Sequence, residues 1–384
     1  MIRLLRLLAW GFATTAMVAA GLAGAGYWLY RDVQSAGPLA AARTLVIPSH
    51  TGVAGIADLL ARQGVVRHPL TFELAARLSG RGASLKAGEY EFPAAASVMQ
   101  ALDIVAGGKT VGHRLTIPEG LTSAQVVALV RAAPALDGDT GPVPADGDLL
   151  PDTYIYSYGD TRKELIERMR RGMARVVAEL WLQHRPGLLL ATPQQAVILA
   201  SIVEKETARE EERPHVAGVF VNRLRLGMPL QADPTVLYAL NPADPKLDRP
   251  LDHADLAVKS PYNTYQVKGL PPGPIDNPSR SSLRAAMRPE PTDDLYFVAD
   301  GSGGHVFAKT LAEQDRNIAQ YRHGAAAGAD AAAPIAAPPI AAPPRPKRAT
   351  ATPPHAAAAH HRRESRQAAR LRRCRRETGH PCRR

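Results

Sequence analysis

The spacing of hydrophobic residues changes several times along this chain. Between Arg6 and Arg31 lie 24 residues without a charge, LLAWGFATTAMVAAGLAGAGYWLY. A helix needs roughly 20 apolar residues to cross a hydrocarbon core about 30 Å thick. The segment therefore predicts a membrane-spanning anchor over residues 1–31.

A cleaved signal peptide is the alternative, because Ala23-Gly24-Ala25 offers a cleavage site. The apolar region of a signal peptide usually has about 7–15 residues, however, and this one is longer. Arg3 and Arg6 favour a cytoplasmic N-terminus, and aromatic residues stand at both ends of the segment. We favour a single-pass protein of the cytoplasmic (inner) membrane whose remaining residues lie outside the cytoplasm.

A short strand, a proline turn and an amphipathic helix recur after the predicted linker 32–43. Residues 44–66 and 114–134 match at an offset of 70, and residues 88–109 repeat the pattern more weakly. Such helices must pack on neighbouring strands, which predicts a small α+β domain ending near residue 112. Its order of strand, helix, helix, strand resembles LysM-like glycan-binding modules. A spacer without a ligand is the alternative.

The chain becomes mainly helical from residue 150. LLPDTYIY (149–156) predicts a loop or strand, and a basic amphipathic helix follows at about 161–182. Four further helices are predicted from starting signals at Thr192-Pro193, Pro214, Asp233-Pro234 and Asn277-Pro278. Segments 295–299 and 305–308 predict a β-hairpin, and a last helix runs to about 322.

The excess of positive charge in this chain lies in its C-terminal segment. From Arg345 to Arg384 there are thirteen Lys/Arg and two acids, a net +11 that equals the formal charge of the whole chain. The remainder is neutral, so the charge does not indicate a nucleic-acid partner. We expect this Ala/Pro-rich segment, residues 323–384, to be disordered. It also contains both cysteines and several histidines: Cys374, Cys382, His360, His361 and His380. We do not expect these residues to form a dedicated metal site.

One glutamate interrupts an apolar helical face. On a helical wheel of residues 193–210, Glu206 falls within the apolar stripe, at i+7 from Leu199 and i+3 from Val203. Glu204 points about 160° away from it. Burial raises a carboxyl pKa, and a protonated carboxyl is what general acid cleavage of a glycosidic bond requires. The alternative is a solvated helix-end residue beside Glu210 and its neighbours.

Four separated segments resemble the endolytic murein transglycosylases, the YceG-like family. They are SIVEKET (201–207), VNRLRLGMPLQADPTVLYAL (221–240), SPYNTYQVKGLPPGPIDNP (260–278) and LYFVADGSGGHVFAKTLAEQ (295–314). The resemblance covers residues 1 to about 322, with Ser279 where glycine is usual. It implies a membrane-anchored lyase that cuts nascent glycan strands between MurNAc and GlcNAc, without a cofactor or metal, leaving 1,6-anhydroMurNAc ends and terminating elongation.

The resemblance also implies roles for individual residues. The second acid of the E-K-E triplet, Glu206, is the catalytic acid. Six further residues are candidate substrate contacts: Gln231, Asp233, Thr235, Tyr262, Asn263 and Tyr265. Asp233 is also the candidate second carboxylate of a hydrolytic muramidase, although Asp before Pro favours an N-cap. We expect His305 to be structural.

The sequence thus predicts an α+β protein in four parts. These are an anchor (1–31), a linker with a LysM-like domain (32–112), a YceG-like catalytic domain (113–322) and the tail (323–384). Expected partners are peptidoglycan, the membrane and peptidoglycan synthases of the elongation machinery. A hydrolytic muramidase and a non-catalytic glycan-binding scaffold are the competing hypotheses.

Overall fold

The computed structural model describes residues 2–328 of the chain. Helix α1 (Ile2–Gln34) contains a segment, Trp10–Gln34, that is long and apolar enough to cross a membrane. The predicted apolar N-terminal helix is confirmed, whereas the crossing stays a prediction, since a signal sequence passes the same test. Cys374, Cys382, His360, His361 and His380 of the predicted tail lie outside the described residues.

Two strands and three helices follow α1 and enclose a core of their own. They are β1 (Arg43–Ile47), α2 (Val53–Arg62), α3 (Pro69–Leu78), β2 (Gly88–Phe92) and α4 (Val98–Gly107). β1 and β2 pair antiparallel, and their side chains Ile47, Tyr90 and Phe92 are fully buried beneath the helices. This is the strand and helix order expected from the sequence. The LysM-like identity of the region stays a prediction.

A second two-stranded sheet packs against two helices. It comprises β3 (Gly112–Thr116) and β4 (Thr153–Ser157), with α5 (Ser123–Ala132) and α6 (Arg162–Trp181). Capping boxes at Thr122 and Thr161 begin the two helices. Segment 149–156, which could have been loop or strand, contributes β4, because Tyr154 and Tyr156 alternate into the core.

Five helices follow α6: α7 (Pro193–Glu206), α8 (Arg213–Arg225), α9 (Asp233–Leu240), the single-turn α10 (His253–Leu256) and α11 (Arg280–Met287). The largest core lies among α6, α7, α8, α9, α11 and the segments around them. The predicted helix starts hold within a few residues. α11 begins later than Asn277-Pro278 because the Ser279 hydroxyl caps it, accepting a hydrogen bond from the Ser282 N–H.

The chain then forms the predicted hairpin. β5 (Tyr296–Ala299) and β6 (His305–Ala308) pair antiparallel, and Phe297 packs edge-on against Phe220 of α8. His305 Nδ1 lies 2.8 Å from the carboxylate of Glu212, which joins the hairpin to the segment between α7 and α8. The last helix, α12 (Leu311–Gly328), continues six residues past its predicted end near 322, and the extent of the tail stays a prediction.

Candidate active site

Helix α7 places Glu206 at its end. Thr192 caps the helix by accepting a hydrogen bond from the Gln195 N–H, and every residue from Ala196 to Val203 is buried. The backbone turns extended at Thr207, directly after Glu206. The packed helix therefore fixes the position of Glu206 while leaving its side chain at the edge of the core.

The Glu206 carboxyl is desolvated and yet reachable. Burial and, secondarily, the negative charge of Asp233 raise its pKa to about 8, against a smaller opposing effect of Arg223. Within the described part of the chain it accepts no hydrogen bond, and its oxygens are not among the fully buried unpaired atoms. A substrate oxygen can therefore approach a carboxyl group that is largely protonated at neutral pH.

Asp233 lies near Glu206 and does not cap α9. Ala232 is the N-cap residue, and no side chain caps this helix. The Asp233 carboxylate instead accepts a hydrogen bond of 2.6 Å from the Tyr265 hydroxyl. Our N-cap interpretation of Asp233 is wrong, because the helix begins at Asp233 itself and its side chain turns to the tyrosine.

A buried arginine, Arg223, completes this group of charges. Its guanidinium donates to the carbonyl oxygens of Leu295 at 2.6 Å and Leu230 at 2.7 Å, and it lies 5.2 Å from the ring centre of Tyr296. Burial lowers the pKa of Arg223, while Tyr296, Tyr265 and Glu206 act in the opposite direction.

Sequence reasoning missed both Arg223 and Tyr296, although each lies in a segment that carries the resemblance. A signal for Arg223 was present. It follows Phe220 by three positions and Val216 by seven, which places it on the buried face of α8.

The exposed side chain of Gln231 stands at the rim of the site. Its φ of 52° lies in the left-handed region, and its backbone N–H donates to the Thr264 carbonyl at 3.1 Å. The Arg223 guanidinium approaches its amide oxygen at 3.5 Å. A non-glycine residue held in this conformation indicates a strongly determined loop.

Two of the predicted substrate contacts are wrong as direct contacts. Thr235 and Asn263 are fully buried. The hydroxyl of Thr235 pairs with that of Thr264 at 2.8 Å, and the Asn263 amide donates to the carbonyls of Leu256 and Val258. Both side chains hold the loop that carries Tyr265 and are unavailable to a ligand.

Tyr262 belongs to a different group of side chains. Its ring lies 4.8 Å from that of Tyr238, whose hydroxyl donates to Asp146 at 2.7 Å. Tyr262 is half-buried, and burial raises its pKa. The structure therefore brings Glu206, Asp233 and Tyr265 together, with Gln231 linked to them through Arg223, and places Tyr262 beside Tyr238.

Two further acids near the end of α7 are buried, and neither competes with Glu206 for the role of acid. Asp276 is fully buried, and desolvation raises its pKa well above the usual range, but both its oxygens are closed to solvent. The Glu204 side chain is also buried and pairs with Arg213. The wheel placed Glu204 about 160° away from the apolar stripe. Its side chain is buried nevertheless, because α7 is enclosed on nearly all sides.

A cavity of about 680 Å³ lies elsewhere, between one face of α8 and residues 289–294. It contains none of the predicted site residues. His215, on its wall, is already paired with Asp294 at 2.8 Å. A concave cavity of this kind is a common ligand site, but the perturbed, accessible carboxyl of Glu206 marks the better candidate for chemistry.

Comparison with known proteins agrees with the segments that carry the resemblance. The model of the YceG-like family matches residues 45–320. The endolytic murein transglycosylase of Bacillus subtilis is 31% identical over 306 residues, which cover 72% of this chain and 83% of that protein. The namesake in Streptococcus pneumoniae is 30% identical, over 72% of this chain and 58% of its own length.

A crystal structure of a putative yceG-like protein from Listeria monocytogenes is also similar. It shares 31% identity, covers 72% of this chain and 98% of its own, and gives a TM-score of 0.44. The family model spans well over half of the chain, and the Bacillus protein is matched over most of its length. This protein therefore belongs to the YceG-like family.

Proposed function

We propose that this protein is a lytic transglycosylase that cleaves peptidoglycan strands internally, between MurNAc and GlcNAc. The observation that carries the proposal is the Glu206 carboxyl, which is open to substrate and has a pKa raised to about 8. The relatives named endolytic murein transglycosylase support this reaction and this substrate class.

In the first step Glu206 acts as the general acid. Its proton passes to the glycosidic oxygen while the bond from that oxygen to C1 of MurNAc breaks and positive charge develops on the sugar ring. The leaving GlcNAc keeps the oxygen as a hydroxyl group. The raised pKa matters here because an ordinary glutamate would be ionised at neutral pH and would have no proton to give.

In the second step the ionised Glu206 acts as the base. It accepts the proton of the C6 hydroxyl of the same MurNAc as that oxygen bonds to C1, which gives the 1,6-anhydro sugar. No water is consumed, and Glu206 regains its proton. One carboxyl group is therefore sufficient for the complete cycle.

The neighbours of Glu206 set its proton affinity in both steps. The charge of Asp233 opposes ionisation of Glu206 and keeps its carboxyl group protonated. Arg223 stabilises the Glu206 carboxylate that forms after proton transfer. The hydrogen bond from Tyr265 holds the Asp233 carboxylate in place. Gln231 and Tyr265 are our candidates for contacts to the sugar, and Tyr262 for a contact farther along the strand.

A hydrolytic muramidase is the competing function, and the electrostatic influence of Asp233 on Glu206 favours it. Such an enzyme needs two carboxylates, about 5–9.5 Å apart, with the second acting on water or on the sugar. In that case Asp233 would be indispensable, and the product would carry a reducing end.

We further propose that α1 anchors the protein in the cytoplasmic membrane, with its N-terminus inside. Cleavage next to the membrane would then end the elongation of nascent strands, with peptidoglycan synthases as partners. A reporter fused after Gly328 tests the orientation: one that requires export should be active. Activity of a reporter that functions only in the cytoplasm would overturn the topology.

Digestion of purified glycan strands by the full-length protein in detergent tests the activity. Release of fragments with anhydro ends supports the transglycosylase. Fragments with reducing ends would establish the hydrolase instead, and the absence of any fragment would favour the glycan-binding scaffold.

A further inference from the structure

The small region after the predicted anchor is attached to α1 by side-chain contacts. Val33, near the end of α1, packs against the core formed by α2, α3, α4 and the first sheet. The ring of Trp28 lies 5.6 Å from that of His68, the N-cap residue of α3. The Arg67 guanidinium donates to the carbonyl of Ala36 at 3.2 Å. These contacts fix the start of α3 relative to the end of α1.

The contact with Trp28 sets the depth of α3 in a membrane. Tryptophan and tyrosine at the end of a spanning helix prefer the headgroup level, and Tyr27, Trp28 and Tyr30 form such a group at the end of the apolar stretch. Trp28 is 51% exposed although it touches His68. If Trp28 lies among the headgroups, then the start of α3 must lie there as well.

The surface of α3 suits this location. Leu70 and Leu78 are 59% and 77% exposed, and they are separated by about 12 Å along the helix axis. Arg67, which precedes α3, and Arg77, which pairs with Glu73 at 3.4 Å, are also exposed. Exposed leucines accompanied by arginines are the composition of helices that rest on a lipid surface with anionic headgroups.

We propose that α3 rests on the outer surface of the membrane that α1 crosses, with Leu70 among the headgroups of anionic lipid. The proposal depends on the anchor proposed above and goes beyond it, since an anchor alone would leave the small region free in the aqueous phase. Contact at both α1 and α3 holds the first sheet, and the chain that follows it, in a defined orientation above the bilayer.

Depth-dependent quenching in vesicles tests the contact with lipid. The full-length protein, with Cys374→Ser and Cys382→Ser, receives one cysteine at Leu70→Cys and carries an environment-sensitive fluorophore there. The vesicles contain phosphatidylcholine and phosphatidylglycerol in equal parts, with or without nitroxide-labelled lipid. Leu182→Cys is the matched control, because Leu182 is an 88% exposed leucine that follows α6.

We expect lipid nitroxides to quench the fluorophore at position 70 several-fold more than the one at position 182. Equal, weak quenching at both positions in protein that resists alkaline carbonate extraction would overturn the contact of α3 while the anchor stands. It would mean that Leu70 stays in the aqueous phase. Extraction of the protein by carbonate would overturn the anchor, and the proposal with it.

Discussion

Glu204 and Arg213 form a buried ion pair. Glu204 lies two residues before the candidate catalytic acid, Glu206. A guanidinium nitrogen lies 3.0 Å from the Glu204 carboxylate, and the side chains are 5% and 7% exposed. The same carboxylate accepts the backbone N–H of Ser279 at 2.8 Å. Arg213 also reaches Glu119 at 3.3 Å. This network joins the last turn of α7 to α8, to α11 and to the loop that follows β3.

Breaking this pair is expected to destabilise the protein. Glu204→Gln leaves the buried Arg213 charge with the half-exposed Glu119 as its remaining anionic partner, and removing one member of a buried pair costs about 3–5 kcal/mol. Denaturant unfolding should show a clearly lower midpoint. Glu211→Gln, at an exposed acid of the next segment, should leave the midpoint unchanged. Equal midpoints for the two variants would contradict a stabilising role of the pair.

Glu206→Gln is expected to abolish strand cleavage and to leave the fold intact. The amide keeps the shape of the side chain and has no proton to donate, and loss of general acid catalysis alone lowers rates about 10²–10⁴-fold. Glycan turnover measures the effect, and circular dichroism checks the fold. Glu211→Gln again serves as the control. Turnover by Glu206→Gln at the rate of this control would exclude Glu206 as the acid.

The raised pKa of Glu206 also predicts how stability depends on pH. Between its unfolded value of 4.5 and its folded value of about 8, the folded protein holds a proton that the unfolded chain has lost. The contribution of this group to stability is therefore complete below 4.5 and is lost as pH rises through about 8.

Glu206→Gln removes this dependence. The stability of the variant relative to the native protein should rise by about 1.4 kcal/mol for each pH unit within that interval. Denaturant unfolding of both proteins at pH 5, 7 and 9 measures the difference. A constant difference across the series would mean that the carboxyl titrates normally.

Asp233→Asn separates the two catalytic hypotheses by its pH profile. Asp233 raises the pKa of Glu206, so its neutralisation lowers that pKa and moves the alkaline loss of kcat/KM to lower pH. A transglycosylase should keep substantial activity at pH values below this shifted alkaline loss. Asp248→Asn, at an exposed aspartate, should keep the native profile. Loss of activity at every pH in Asp233→Asn would favour the hydrolase.

The sequence predicted those elements whose signals are local. The uncharged stretch predicted α1, and the glycine-rich turn between two apolar runs predicted the hairpin. The alternation of Tyr154 and Tyr156 is compatible with β4. Glu206 was selected by its place in an apolar stripe, and the structure half-buries it.

The remaining features depend on contacts distant in sequence. Local sequence patterns do not predict the hydrogen bond between Glu204 and Ser279. The same holds for the hydrogen bonds that join Tyr265 to Asp233 and Thr235 to Thr264. The wheel failed for Glu204 because a helix buried on nearly all sides has no open face to identify. Arg223 was overlooked because a buried arginine is uncommon without paired partners, and its partners here are backbone carbonyls.

Mass spectrometry of the released glycan fragments tests the catalytic role of Glu206 most directly. Purified strands are incubated with the full-length protein or with Glu206→Gln in water enriched in ¹⁸O. The native protein should release fragments that end in 1,6-anhydroMurNAc, each lighter than the hydrolysis product by one water and free of ¹⁸O, and the variant should release none. Fragments that carry ¹⁸O at a reducing end, or anhydro ends formed equally by Glu206→Gln, would contradict cleavage by this single carboxyl group.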